Sequence, residues 1–191
     1  VENSFDGLVL KINNLEVNTK LIGEFNAYNL LTVFSASKIL KINTEEILVS
    51  MSLLKNPEGR FDVIIKNKII GIVDYAHTPD ALLNVLETIV KIKQNENSII
   101  TVVGCGGGRD RAKRLKMGSI ASRLSQKVIF TSDNPRDEDP KSIIHDMIAG
   151  VDDADKSKIL NIVDRKEAIV KACKVAKPND ILLVAGKGHE K

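Results

Sequence analysis

Nine consecutive residues, Ser132-Asp133-Asn134-Pro135-Arg136-Asp137-Glu138-Asp139-Pro140, bring together four carboxylates, one guanidinium, one amide and two prolines. A short loop offering both charge signs suits a zwitterionic ligand. Its guanidinium can grip a carboxylate with two parallel hydrogen bonds, while amide and carboxylate oxygens accept from an ammonium. The prolines lower the entropy cost of holding that arrangement. An ordinary solvated acidic turn has a similar composition, so neighbouring loops must decide between the two readings.

Other stretches could supply that company. Gly104-Cys105-Gly106-Gly107-Gly108 leads into a helical segment and is followed by Arg109, Arg111, Lys113 and Arg114. Free backbone N–H groups at a helix start, with four cations beside them, can hold an anion. The alternative is a flexible turn followed by a solvated basic helix face. The Gly-x-Gly-x-x-Gly dinucleotide spacing is met only loosely. In Gly186-Lys187-Gly188-His189-Glu190, a tight turn leaves Glu190 able to balance an ammonium. Asp74, in Asp74-Tyr75-Ala76-His77, could accept from ribose hydroxyls at a strand end. His77 reads as a hydrogen-bonding scaffold, with no second His or Cys near enough in sequence for zinc. Arg60, beside Gly59, is either a linker charge or a phosphate clamp. Cys173 is expected in the core.

The elements that must position these residues follow from periodicity. Strand-like runs at 7–12 and 15–22 flank Asn13-Asn14, a tight-turn pair. Residues 23–29 precede an apolar-periodic helix to about Leu40, and a second helix starts at Asn43. Pro57 and Gly59 break all periodicity, which places a domain boundary between 1–57 and 58–191. Beyond it, strands at 61–65, 68–73, 98–103, 127–131, 159–163 and 180–185 alternate with helices at 79–93, 111–124, 140–149 and 165–176. That alternation implies an α/β fold: a Rossmann-like, mostly parallel sheet with helices on both faces. The loops following five of its strands emerge at one sheet edge, where such folds bind ligands. They are the polar, glycine-rich and charged ones: 74–77, 104–110, 133–136, 164–165 and 186–190. The opposite turns, such as 93–97 and 152–158, are featureless.

Composition narrows the function classes. A net charge of +3 and a pI near 8.8, with two Tyr, five Phe and no Trp, offer little for nucleic acid. Two unrelated cysteines suggest a reducing, cytoplasmic setting, and no apolar run reaches membrane-spanning length. No Gly-x-x-x-x-Gly-Lys-Ser/Thr run occurs, so a triphosphate cradle would have to lie upstream.

In order along the chain, 23–31, 59–61, 73–82, Gly104-Cys105-Gly106-Gly107 with Arg109-Asp110 and Lys113-Arg114, Met117-Gly118, Asp133-Asn134-Pro135-Arg136 with Asp139-Pro140, and 186–190 resemble the Mur ligases, in the branch that adds the third residue of the peptidoglycan stem peptide. The resemblance implies a C-terminal piece: the tail of the central ATP-binding domain, then most of the C-terminal domain. It implies amide formation through an acyl phosphate, with ATP and Mg2+ as cofactors and the magnesium ligands upstream, so the piece alone would be inactive. It implies small-molecule partners only: ATP, the UDP-N-acetylmuramoyl dipeptide and meso-diaminopimelate, whose second carboxylate distinguishes it from L-lysine. Nucleic acid, membrane and a second subunit are not expected. Diaminopimelate would be held by Arg109, Asp133, Asn134, Pro135, Arg136, Gly186 and Glu190. ATP would meet Asn26, Asn29, Arg60 and Asp74. Gly108 stands where the family usually has an aspartate, and Leu115-Lys116 replace a commoner Pro-Leu. The rivals are a non-catalytic zwitterion or nucleotide receptor and a related ligase such as folylpolyglutamate synthase.

Overall fold

A computed structural model describes residues 1–94 and 96–190; Asn95, inside the turn expected over 93–97, and Lys191 lie outside the described residues. The chain divides into two compact units, Val1–Pro57 and Glu58–Lys191.

In the first unit, β1 (Glu2–Ser4), β2 (Gly7–Ile12) and β3 (Leu15–Thr19) form an antiparallel sheet. Asn13 and Asn14, at φ 49° and 66°, make the β2–β3 turn in the left-handed conformation that asparagine tolerates. α1 (Glu24–Ile39) begins right after Gly23, not beyond Asn29 as expected. The Asn26 side chain donates to the Ile22 carbonyl (2.8 Å), and Leu30 is buried one turn on, so local bonding and packing outweigh the weak helix preference of Asn and Tyr. Asn43 caps α2 (Thr44–Leu53) by accepting from Glu45 and Glu46 N–H. Leu8, Leu10, Val17, Leu30, Phe34, Ile47 and Met51 make this unit's core.

The second unit is built on a six-stranded sheet in the order β4 (Asp62–Lys66), β5 (Ile69–Asp74), β9 (Ile181–Ala185), β6 (Ile99–Val103), β7 (Lys127–Phe130), β8 (Ile159–Asn161). Only β4 runs antiparallel, joined to β5 through Asn67 and Lys68 at positive φ. The mostly parallel α/β sheet expected from the alternation is therefore present, with an antiparallel edge strand. β6 is buried throughout, as a strand covered on both faces must be.

Side-chain alternation sorts the helices between the two faces. Ile100, Val102, Ile129 and Leu182 meet Ala168 and Ala172 of α6 (Arg165–Val175). On the other face Thr101 Oγ1 lies 2.7 Å from Ser125 Oγ, at the end of α4 (Ala112–Leu124). Between α3 (Pro79–Ile92) and α5 (Pro140–Ile148), α4 packs against both. Three of these four helices start as their sequence dictates: Thr78 before Pro79, Asp139 before Pro140, and Asp164 each accept a first-turn N–H. Two expectations fail. Cys173 is exposed, because adjacent Ala172 faces the sheet and the next helical position turns about 100° away. Residues Asp153–Lys158, read as a featureless turn, form a 3-10 helix with Lys156–Asp153 and Lys158–Asp155 ion pairs.

Helix α4 crosses α5 at Gly118, where an added Cβ would stand 1.9 Å from the Met147 carbonyl oxygen. The backbones touch there, so no side chain fits without separating the helices. Gly118→Ala is expected to lower stability by about 1–3 kcal/mol, as overpacking does, read as a shifted urea-unfolding midpoint. An unshifted midpoint would show that the crossing tolerates a methyl group.

Candidate functional site

Four loops at the carboxyl edge of the large sheet enclose a cavity of about 700 Å³ whose wall includes Arg109, Asp133, Asn134, Arg136, Gly186 and Glu190. Six of the seven residues expected to bind the amino acid are therefore gathered. Pro135 is not among the lining residues; its carbonyl accepts from Glu138 N–H. The fifth loop departs from expectation. Asp164 and Arg165 line a neighbouring hollow of about 670 Å³, shared with Asp133 and Lys187. Arg165 is half-buried and donates from Nη2 to the Ala185 carbonyl (2.8 Å). Burial pushes its guanidinium pKa down, opposed by Asp133 and Glu190.

The glycine run engages two of its N–H groups with the neighbouring loop. Gly107 N–H donates to the Asn134 carbonyl (2.9 Å) and Gly108 N–H to Glu138 Oε1 (2.7 Å). A Cβ on Gly107 would lie 1.9 Å from the Pro135 oxygen. Glycine is required because two loop backbones touch. The basic cluster after it also divides. Arg114 turns inward, only 1% exposed, where Nη1 and Nη2 pair bidentately with Glu138 (3.0 and 2.9 Å) and Nη1 also meets Asp146 (2.9 Å). Arg111 pairs with Glu138 (3.2 Å), and Lys113 donates to the His77 carbonyl (3.0 Å). Arg109 alone of the four, among the described residues, has no hydrogen bond or ion pair and stands on the cavity wall.

Arg136 adopts φ 53° and donates through Nη1 to the Gly107 carbonyl. That single bond holds the arm while the rest of the planar fork remains able to meet a carboxylate. Also on the cavity wall, Glu190 accepts from Asn134 Nδ2 (3.1 Å) and from the Tyr75 hydroxyl (3.2 Å). Asn134 foremost, then Tyr75 and nearby Lys187, hold its carboxyl below the usual range against partial desolvation. Lys187 Nζ donates to Asn134 Oδ1 (2.9 Å), which settles the direction in which that amide points. The cavity lining thus carries both charge signs: Arg109, Arg136, Lys113 and Lys116 with Asp80, Asp110, Asp133 and Glu190.

Of the residues expected at a nucleotide, Arg60 lies with its guanidinium carbon 4.7 Å from the Tyr75 ring centroid, and it is exposed. Asp74 differs from expectation. It is 7% exposed, with Oδ2 accepting from Phe61 N–H (2.8 Å) and Oδ1 from Ala76 N–H (2.7 Å). Burial raises its pKa against those two bonds and Arg60. Its oxygens tie the strand end to the Arg60 segment, so no ribose contact is assigned to it. Asn26 and Asn29 belong to the first unit, where Asn29 Nδ2 donates to Asn26 Oδ1 (3.2 Å). Cys105 is buried, its thiol pushed up to about 11 by desolvation. Glu138, Tyr75 and Lys187 were not picked out by sequence reasoning. Glu138 sits in a run of acids where only a partner distinguishes one from another.

The description "Mur ligase, glutamate ligase domain" matches residues 59–188, nearly all of the second unit. The chain belongs to the Mur ligase family. A Phocaeicola vulgatus protein named UDP-N-acetylmuramoyl-L-alanyl-D-glutamate--2,6-diaminopimelate ligase is 52% identical over 191 residues, all of this chain and 40% of that protein. A protein of the same name from Lactiplantibacillus plantarum is 48% identical over 175 residues, 91% of this chain and 34% of that protein. A solved structure of a ligase of that name superposes with a TM-score of 0.68 at 38% identity, covering 99% of this chain and 39% of that one. Folylpolyglutamate synthase from Thermotoga maritima superposes equally well, at 0.68, but at 19% identity over 90% of this chain and 38% of that one, which is likeness of fold alone. This Mur ligase chain spans about 40% of the length of the curated relatives it matches.

In this Mur ligase chain the Arg114 pairing, then the Gly108 N–H, holds the Glu138 carboxyl at about 2, below its ordinary 4.5. A carboxylate with a depressed folded pKa stabilises above its unfolded value, and that contribution disappears as pH falls through the folded one. Urea-unfolding free energy should therefore decline between about pH 4.5 and 2, with part of the decline absent in Glu138→Gln. Identical pH slopes for the two proteins would remove Glu138 from the acid transition.

Proposed function

We propose that the protein carrying this chain is an ATP-dependent ligase that joins meso-diaminopimelate to UDP-N-acetylmuramoyl-L-alanyl-D-glutamate in peptidoglycan synthesis, and that this chain supplies its amino-acid-binding part. The reading rests on one observation above all: Arg109 and Arg136 line the same cavity as Asn134 and Glu190. Relatives at 48–52% identity that bear that ligase's name support it.

Diaminopimelate carries a carboxylate and an amine at each end. Arg136 takes the distal carboxylate and Arg109 the other, each as a charge-assisted pair. Glu190, with Asn134 and Lys187 fixing its direction and Gly186 beside it, receives the distal ammonium. Binding one end through its charges leaves the amine at the other end directed outward to attack an activated carboxylate, which is catalysis by positioning. L-lysine has no distal carboxylate and leaves Arg136 unmatched.

ATP, when bound, supplies the phosphoryl group that turns the peptide carboxylate into an acyl phosphate with a competent leaving group. This chain's residues fit that cofactor only in part. Arg60 is exposed and braced on Tyr75, suited to phosphate, while the 191 residues contain no P-loop sequence. We assign Asn26 and Asn29 to adenine contacts and Arg60 to phosphate, with Asp74 positioning Arg60. Residues 1–57 are assigned to the end of the central ATP-binding domain and 58–191 to the C-terminal domain, with Mg2+ held by residues outside this sequence. The reaction is assigned to the cytoplasm, and the enzyme acts as a monomer.

The test is steady-state kinetics of the full-length protein with meso-diaminopimelate and L-lysine. Arg136→Ala should lower kcat/KM for diaminopimelate by roughly ten- to 150-fold, the loss of a hydrogen bond between charged groups worth about 1.5–3 kcal/mol. Lysine use should change little. Unaltered diaminopimelate kinetics in that variant, or a preference of the parent protein for lysine, would overturn the assignment.

A further inference from the structure

Glu138 belongs to the loop that carries Arg136, yet its carboxylate bonds to the loop that carries Arg109. Oε1 accepts from the Gly108 N–H (2.7 Å), one residue before Arg109, and from Arg114 Nη2 (2.9 Å); Oε2 accepts from Arg114 Nη1 (3.0 Å) and lies 3.2 Å from Arg111 Nη2. Beside it, Gly107 N–H reaches the Asn134 carbonyl and Arg136 Nη1 reaches the Gly107 carbonyl. Every one of these bonds joins the segment after β6 to the segment after β7. Glu138 is the one carboxylate among them, and buried Arg114 holds it from beneath with a rigid fork.

From this geometry we infer that Glu138 is a specificity-determining positioning residue: it sets the separation of Arg109 and Arg136, and so the fit for a ligand with two carboxylates. It touches no substrate. A dicarboxylic ligand needs both guanidinium groups at one spacing, whereas a mono-carboxylic one needs a single contact and is indifferent to that spacing. Shifting one loop by a methylene's length therefore weakens the former selectively. Arg111 is engaged by Glu138 and Lys113 by the His77 carbonyl, which leaves Arg109 as the cation of this segment without a partner among the described residues.

The inference rests on the proposed reaction, and a double-mutant cycle in the full-length protein separates the two. Glu138→Asp keeps the charge but draws the carboxylate back from Gly108. It should raise KM for meso-diaminopimelate by about tenfold, with kcat and KM for ATP within about twofold, and the rise should shrink below about twofold in an Arg136→Ala background, because a residue acting through Arg136 has nothing left to act on. Glu138→Gln, checked for folding by circular dichroism, should show the same non-additivity. An equal rise in both backgrounds, a parallel rise in KM for ATP, or no rise in either variant overturns the inference. If Arg136→Ala is damaging while Glu138 variants are silent, only the positioning role fails; if Arg136→Ala itself is silent, the substrate assignment fails and takes this inference with it.

Discussion

A guanidinium withdrawn from water has to be met by carboxylates, because an uncompensated charge in a low-dielectric interior costs several kcal/mol. Arg114, on α4, is in that position. Glu138 reaches it from the loop after β7 and Asp146 from α5. Satisfying one buried cation thus ties a helix, its neighbour and the loop after β7 to a common point. Its Nε remains without a partner, so the pairing is not complete, and the geometry of the two guanidinium-donating nitrogens bears the whole compensation.

With that point fixed, the cavity can hold both charge signs without neutralising itself. Glu190 is kept ionised by an amide and a hydroxyl, while Lys187 is turned to Asn134 and stays 3.9 Å from Glu190. Neutral donors leave a carboxylate's charge available to a ligand, where a tight lysine pair would have consumed it. Arg136 is held by a backbone carbonyl, which likewise restrains the arm without cancelling its charge. The result is a rim on which both charge signs remain exposed to the cavity.

Much of this was legible from residue types. Prolines after Thr78 and Asp139 mark the starts of α3 and α5, and Asn13-Asn14 marks a left-handed turn, because those preferences act within a few residues. Alternation of apolar runs and helical periods is enough to imply a parallel sheet, and a parallel sheet is enough to place the loops after its strands on one edge. Asn134, Arg136 and Glu190 were recognisable as ligand candidates for that reason. The same logic did not foresee that two backbone N–H groups bond the Asp74 oxygens, or that the fifth loop directs Arg165 into the adjoining hollow.

What the sequence by itself determined is the set of elements and the edge at which they deliver their loops, since both follow from short-range propensity and period. What only the tertiary structure decided is which charge meets which. Arg109, Arg111, Lys113 and Arg114 are four similar cations in six positions, and nothing local separates the one left for a ligand from the one sunk beneath the site. That division depends on Glu138 and Asp146, 24 and 32 residues from Arg114. The glycine run likewise makes a loop-to-loop contact that nothing local reveals: its partner is a carbonyl more than twenty residues away, brought within reach by the pairing of β6 with β7 and the bonds between the loops that follow them.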